Sequence, residues 1–263
     1  MKPLRKSVRL LAACLALLLT ACSSQGPTPE EPALLEFPGV SWNTPMEDVI
    51  ESLGLTEEQI QWRGLVQETE TVSLWGLRAE GVACLGGTAA AEFQFLQYLG
   101  PELDNHPGLS KVSLEFQEGT NMDTVLKELT RFYGEGSQER PPLHGIQGGK
   151  VVSSAIAQEG VMRVNLPDGT SFTCRRTPNE HNLYWAARGR SLLPEGIEAS
   201  IGALFSGSGD PPSQETVLQF LDQAALVELS WSDGYLLEDG SVHPNDKVVF
   251  DGQMYLDLIQ RCA

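Results

Sequence analysis

Thr44-Pro45-Met46-Glu47-Asp48-Val49-Ile50-Glu51-Ser52-Leu53 and Thr120-Asn121-Met122-Asp123-Thr124-Val125-Leu126-Lys127-Glu128-Leu129 are two versions of one helix start, and they set the fold. Threonine, methionine, valine and leucine recur at equivalent places, with an acid fourth and Ile or Leu seventh. A threonine is expected to cap the first amides, and acids in the first turn suit the positive end of the helix dipole. Apolar residues three and four apart make one buried stripe. Pro45 suits a first helical position, and Gly54 and Gly134 are placed to end the two helices. Gln214-Glu215-Thr216-Val217-Leu218-Gln219-Phe220-Leu221 is a looser third copy. Any capped amphipathic helix shares part of this pattern, so duplication and independent origin both fit it.

Outward from the helices the period changes to that of strands. Residues 66–77, 92–98 and 111–116 follow the first helix, with Gly86-Gly87 as a turn. Residues 150–157, 161–166, 171–175 and 182–187 follow the second, with Pro167-Asp168-Gly169-Thr170 as a turn. Each unit reads as a helix followed by an antiparallel sheet, which is the α+β class, in two related units over 36–116 and 117–193. From Pro194 the chain becomes rich in Gly, Ser and Pro, as in Ser206-Gly207-Ser208-Gly209-Asp210-Pro211-Pro212. Residues 194–263 are therefore expected to form a linker and a small C-terminal cap. Its turns would fall at Asp233-Gly234 and Asp239-Gly240, and its helix at 254–261.

The N-terminus has the parts of an export signal. Lys2, Arg5, Lys6 and Arg9 precede an apolar run at 10–19, which is shorter than the roughly 20 residues a spanning helix needs. Leu19-Thr20-Ala21-Cys22 then resembles the bacterial lipobox. That resemblance implies a signal peptide over 1–21, cleavage between Ala21 and Cys22, and a diacylglyceryl group and palmitate-type acylation on Cys22. Two chains give a stable anchor where one is marginal. Residues 22–35, with SSQGPTPEEPALL after the cysteine, read as a flexible tether. The expected place is the extracytoplasmic face of the cell membrane, attached by lipid.

The chain carries 18 basic and 35 acidic residues, a net charge of -17. Loss of the signal's four basic residues leaves 14 against 35, or -21. Such a surface repels phosphate backbones and anionic headgroups, which argues against nucleic acid as a partner. Cys14 leaves with the signal, so Cys84, Cys174 and Cys262 remain beside the lipidated Cys22. Cys84 and Cys174 lie in strand-like segments, where a disulfide between them and two free thiols both fit. Zinc-protease, Cys-x-x-Cys, Walker, Gly-x-Ser-x-Gly and Ser-x-x-Lys patterns do not occur. His106, His144, His181 and His243 stand far apart in turn-like contexts, so no metal and no cofactor is expected. The five tryptophans, at 42, 62, 75, 185 and 231, suit core positions better than a sugar-stacking platform.

Phe37-Pro38-Gly39-Val40-Ser41-Trp42, followed by Thr44-Pro45, Val49 and Leu53-Gly54, resembles the opening of small envelope lipoproteins of the BamE/SmpA type. Two such units in tandem resemble β-lactamase-inhibitor-protein-like folds. The resemblance covers residues 37–190 and implies protein binding or envelope assembly, with no catalytic residues to carry over. Asp239-Gly240-Ser241-Val242-His243-Pro244-Asn245-Asp246 resembles an S-layer-homology segment, which implies wall-glycan binding. The resulting expectation is a non-enzymatic, lipid-anchored module with a protein partner. The alternatives are an envelope enzyme using paired carboxylates on wall polymers, and glycan binding through the C-terminal segment. A deep cleft with facing carboxylates favours the enzyme, and an open sheet face with exposed aromatics favours a partner surface.

Overall fold

Each of the related helix starts forms a helix, and none uses its expected threonine as a cap. Helix α1 is Met46–Leu53, with Pro45 at its N-cap and no side-chain cap. Thr44 stands one residue too early to reach the helix amides, and its hydroxyl donates to the Ser41 carbonyl instead (2.8 Å). Helix α2, Met122–Tyr133, is capped by the Asn121 side chain, which accepts from the Thr124 amide. Helix α3, Gln214–Gln223, is capped in the same way by Ser213. Gly54 closes α1 at φ 61°, a left-handed conformation that glycine adopts without strain.

The computed structural model describes residues 35–70, 72–99, 106–147, 149–154, 161–165, 171–175, 181–188 and 212–252. The signal, Cys22, most of the tether, the 167–170 turn, residues 189–211, the expected 254–261 helix and Cys262 lie outside these. The strands are β1 Ile60–Glu68, β2 Val72–Cys84, β3 Gly87–Tyr98, β4 Gly108–Phe116, β5 Leu143–Gln147, β6 Lys150–Ser154, β7 Val161–Asn165, β8 Ser171–Arg175, β9 Asn182–Arg188, β10 Ala225–Leu236 and β11 Val242–Asp251. Among the described residues the fold is α+β, with three helices and a seven-stranded sheet. The sheet order is β1-β2-β3-β4-β11-β10-β9 and each pairing is antiparallel. β5-β6 and β7-β8 are separate hairpins.

Residues of all three expected segments meet in this one sheet. The run expected at 66–77 divides, because Thr69 turns the chain through an amide bond to the Val72 carbonyl (2.8 Å). The C-terminal hairpin lies inside the sheet, with β11 seated between β4 and β10. Asp239-Gly240 makes its turn, with Gly240 at φ 86°. Asp233-Gly234 is no turn: it lies within β10 at a register shift.

Alternation along the strands divides the sheet into two faces. On the first, Leu77, Phe93, Phe95, Val112, Leu114 and Phe250 pack under Val49 of α1 and Val125 and Leu129 of α2. Their sequence neighbours point the other way. Leu74, Leu96 and Leu226 join Val217, Phe220 and Leu221 of α3, with Ile146 and Val151 of β5-β6, in a second core. Burying one such Leu or Phe side chain contributes ~1.5–3 kcal/mol.

The N-terminal segment is part of the first core. Pro38-Gly39 forms a type II turn, with Gly39 at φ 86° and the Val40 amide on the Phe37 carbonyl (3.0 Å). That turn drives Phe37 edge-on against Phe93 and Phe250. The Tyr133 hydroxyl donates to the Glu36 carbonyl (2.5 Å), fixing the segment to α2. Burial, helped by the Glu36 charge, pushes the Tyr133 phenol well above its ordinary range.

Candidate functional site

The side of the sheet that carries α1 and α2 holds a groove of about 510 Å³. Leu53 to Leu55 at the end of α1, Gly81 to Gly86 at the end of β2 and its turn into β3, and Glu128, Arg131 and Phe132 of α2 line it with Phe37, Pro38 and Gln59. The hairpin approaches the first turn of α2 closely: a Cβ on Gly86 would stand 3.0 Å from a Thr124 methyl. Phe37, Val82 and Leu85 are buried, whereas Phe132 is 47% exposed. The Arg131 guanidinium sits 4.3 Å over the Phe132 ring and also bonds Glu128 at 2.6 Å. Part of a large apolar ring thus stays in solvent beside a recess of mixed polar and apolar lining.

Cys84 also lines this groove as a free thiol, its sulfur 3.8 Å from the Val82 carbonyl. Burial pushes its pKa up to about 12, so it is protonated and a poor nucleophile at neutral pH. Cys174 lies in β8.

The opposite sheet face carries a charged cluster with no counterpart among the sequence expectations. Glu228 on β10 and Asp251 on β11 are register partners, 4% and 8% exposed. Arg140, from the segment after α2, grips Glu228 with two bonds of 2.8 Å. Lys111 on β4 bonds Asp251 at 2.6 Å. Burial raises the Glu228 carboxyl above its ordinary value; the Arg140 bonds oppose that rise and Asp251 adds to it. These are facing carboxylates, but each is held by a cation, and the four charges sum to zero. Such a set binds strands together; a general acid must first hold a proton, and protonating either carboxylate here would leave its cation unpaired. The one sequence cue was Glu228 amid Ala225-Leu226-Val227 and Leu229, an acid inside an apolar strand.

Other singled-out residues scatter. His106 contacts the Asn43 carbonyl (3.0 Å) and His181 the Asp233 carboxylate (2.8 Å). No group of three or more His, Cys, Asp or Glu is disposed to hold a metal among the described residues. Trp185 and Trp231 are buried and Trp42 and Trp75 pack against the core, whereas Trp62 is 47% exposed. The Trp62 ring lies over the cross-strand glycine pair Gly64 and Gly76, covering backbone that no side chain there protects. No described helix is long and apolar enough to cross a membrane. No protein-family model, curated protein or solved structure matches the chain.

Proposed function

We propose that this chain is a non-enzymatic module of the bacterial cell envelope, lipid-anchored through Cys22 at the extracytoplasmic face of the cell membrane, which binds a protein partner in the groove beside Phe132. The observation that carries this reading is Phe132 itself, 47% exposed and lining a recess of about 510 Å³ whose walls mix apolar and polar side chains. The lipobox-like Leu19 to Cys22 supports the anchor. The 14 residues from Cys22 to Leu35 reach at most ~45 Å when extended, enough to hold the domain clear of the headgroups.

The test is photo-crosslinking in cells with a photoreactive residue at Ala83 or Phe132, and at Glu115 on the opposite face as control. One protein captured at high yield from the groove positions alone supports the proposal. Glycan fragments in its place, or the same products from Glu115, refute it.

A further inference from the structure

The groove mixes apolar and polar lining, and acids stand close to it in the chain; together these define the chemistry of an occupant. Phe37, Leu55, Val82 and Leu85 make the floor, with Phe132 at the lip. Glu128 lines the groove, and Glu36, Glu51, Glu57, Glu58 and Glu80 stand within two residues of lining positions. The basic residues nearby are largely engaged. Arg131 bonds Glu128, Arg78 bonds Glu80, and Arg63 is shared between Glu47 and Glu57. Glu51 and Glu58 are exposed and in none of the ion pairs among the described residues. Six acids at or beside the lining stand against four bases nearby, Arg63, Arg78, Arg131 and Lys127. At physiological salt such a surplus is felt over ~8 Å, about the width of a rim.

Resting on the protein-binding reading above, we infer that the occupant is a basic amphipathic peptide segment of the partner. Its apolar side chains enter the floor, and its Lys or Arg side chains meet Glu51, Glu57 and Glu58. An anionic lipid headgroup meets the wrong charge here. A purely polar cation leaves the floor and the Phe132 ring in water, so it gains only the rim.

The experiment is fluorescence anisotropy on the full chain in detergent, with three labelled peptides: leucine–lysine, leucine–glutamate, and a serine–lysine peptide of the same charge as the first. The leucine–lysine peptide is expected to bind at least ~10-fold more tightly than either control. Ala83→Trp, at an exposed lining position, sets a bulky ring beside the groove and should weaken that binding ~10-fold. Glu57→Lys with Glu58→Lys should weaken it by ~10-fold and add salt independence. Glu115→Lys with Glu215→Lys makes the same charge change on the other side of the sheet and should change it less than about twofold. No binding overturns the inference outright; equal binding of the serine–lysine peptide, or equal loss in the remote pair, overturns it by reducing it to net-charge attraction. Preference for the leucine–glutamate peptide, still blocked by Ala83→Trp, overturns the basic-partner inference and leaves the groove reading standing. Indifference of every peptide to Ala83→Trp, together with failed crosslinking from the groove, overturns both.

Discussion

Replacing Arg140 by methionine separates a cohesive role for the buried charges from a decorative one. The change removes two bonds of 2.8 Å to Glu228 and leaves that carboxylate, 4% exposed, beside Asp251. Breaking a buried pair from one side costs ~3–5 kcal/mol. The Arg140 side chain is 35% exposed, so water already screens part of the pair, and the expected loss is about 2–3 kcal/mol. For a domain of this size that lowers Tm by roughly 4–12 °C. The pH dependence has a definite sign. Glu228 already lies above its ordinary value through burial, and losing Arg140 raises it further. An acid raised on folding is bound to its proton more tightly in the folded state, so stability falls as pH climbs from the unfolded pKa to the folded one. The deficit of the variant is therefore largest near about pH 8 and shrinks toward about pH 5. Urea unfolding followed by the fluorescence of buried Trp185 and Trp231 measures it at both. Arg140→Met with Glu228→Leu removes both charges and should recover most of the loss. A loss under about 1 kcal/mol, a loss equal at both pH values, or a double variant no better than the single one refutes the reasoning.

Three further outcomes follow from the same geometry. A Cβ on Gly76 would stand 2.6 Å from the Trp62 ring; Gly76→Ala should therefore cost about 1 kcal/mol and lift the ring, giving a red-shifted emission that Trp62→Ala abolishes, whereas an unchanged spectrum and melt contradict the close packing. With its pKa pushed up to about 12 by burial, Cys84 should react with iodoacetamide about a thousandfold more slowly in the native protein than in urea at about pH 8; similar rates by peptide mapping refute the burial argument. Cys22→Ser should leave unprocessed precursor or release soluble protein, and membrane attachment that survives the change removes the lipid anchor from the proposal.

The class of the fold was readable because it rests on local periods. The stripes at Val49 and at Val125 and Leu129 mark helices, and the alternation at residues 92–98 and 111–116 marks strands. Cap positions slipped by one residue because Thr44 and Thr120 precede Pro45 and Asn121, which take the cap site themselves. The place of the last hairpin was unreadable for a different reason. β11 is as alternating as an edge strand, and only its long-range register with β4, Phe250 against Val112, puts it at the centre. The groove is hidden in the same way. Its lining comes from four separated stretches, and Phe132 differs from any other apolar helix residue only in where it points. Glu228 could be suspected of burial from its apolar neighbours, but its partner lies 88 residues earlier.

The N-terminal segment of the described domain and the groove share Phe37. Leu35, Phe37 and Val40, where the tether reaches the domain, are buried. Phe37 also forms part of the groove floor while its ring meets Phe93 and Phe250. Loosening the N-terminal segment would therefore pull out the floor, and an occupant resting on Phe37 would resist that loosening. Binding energy from the groove is then linked to the seating of the tether, since anything that binds the folded form alone stabilises it by mass action.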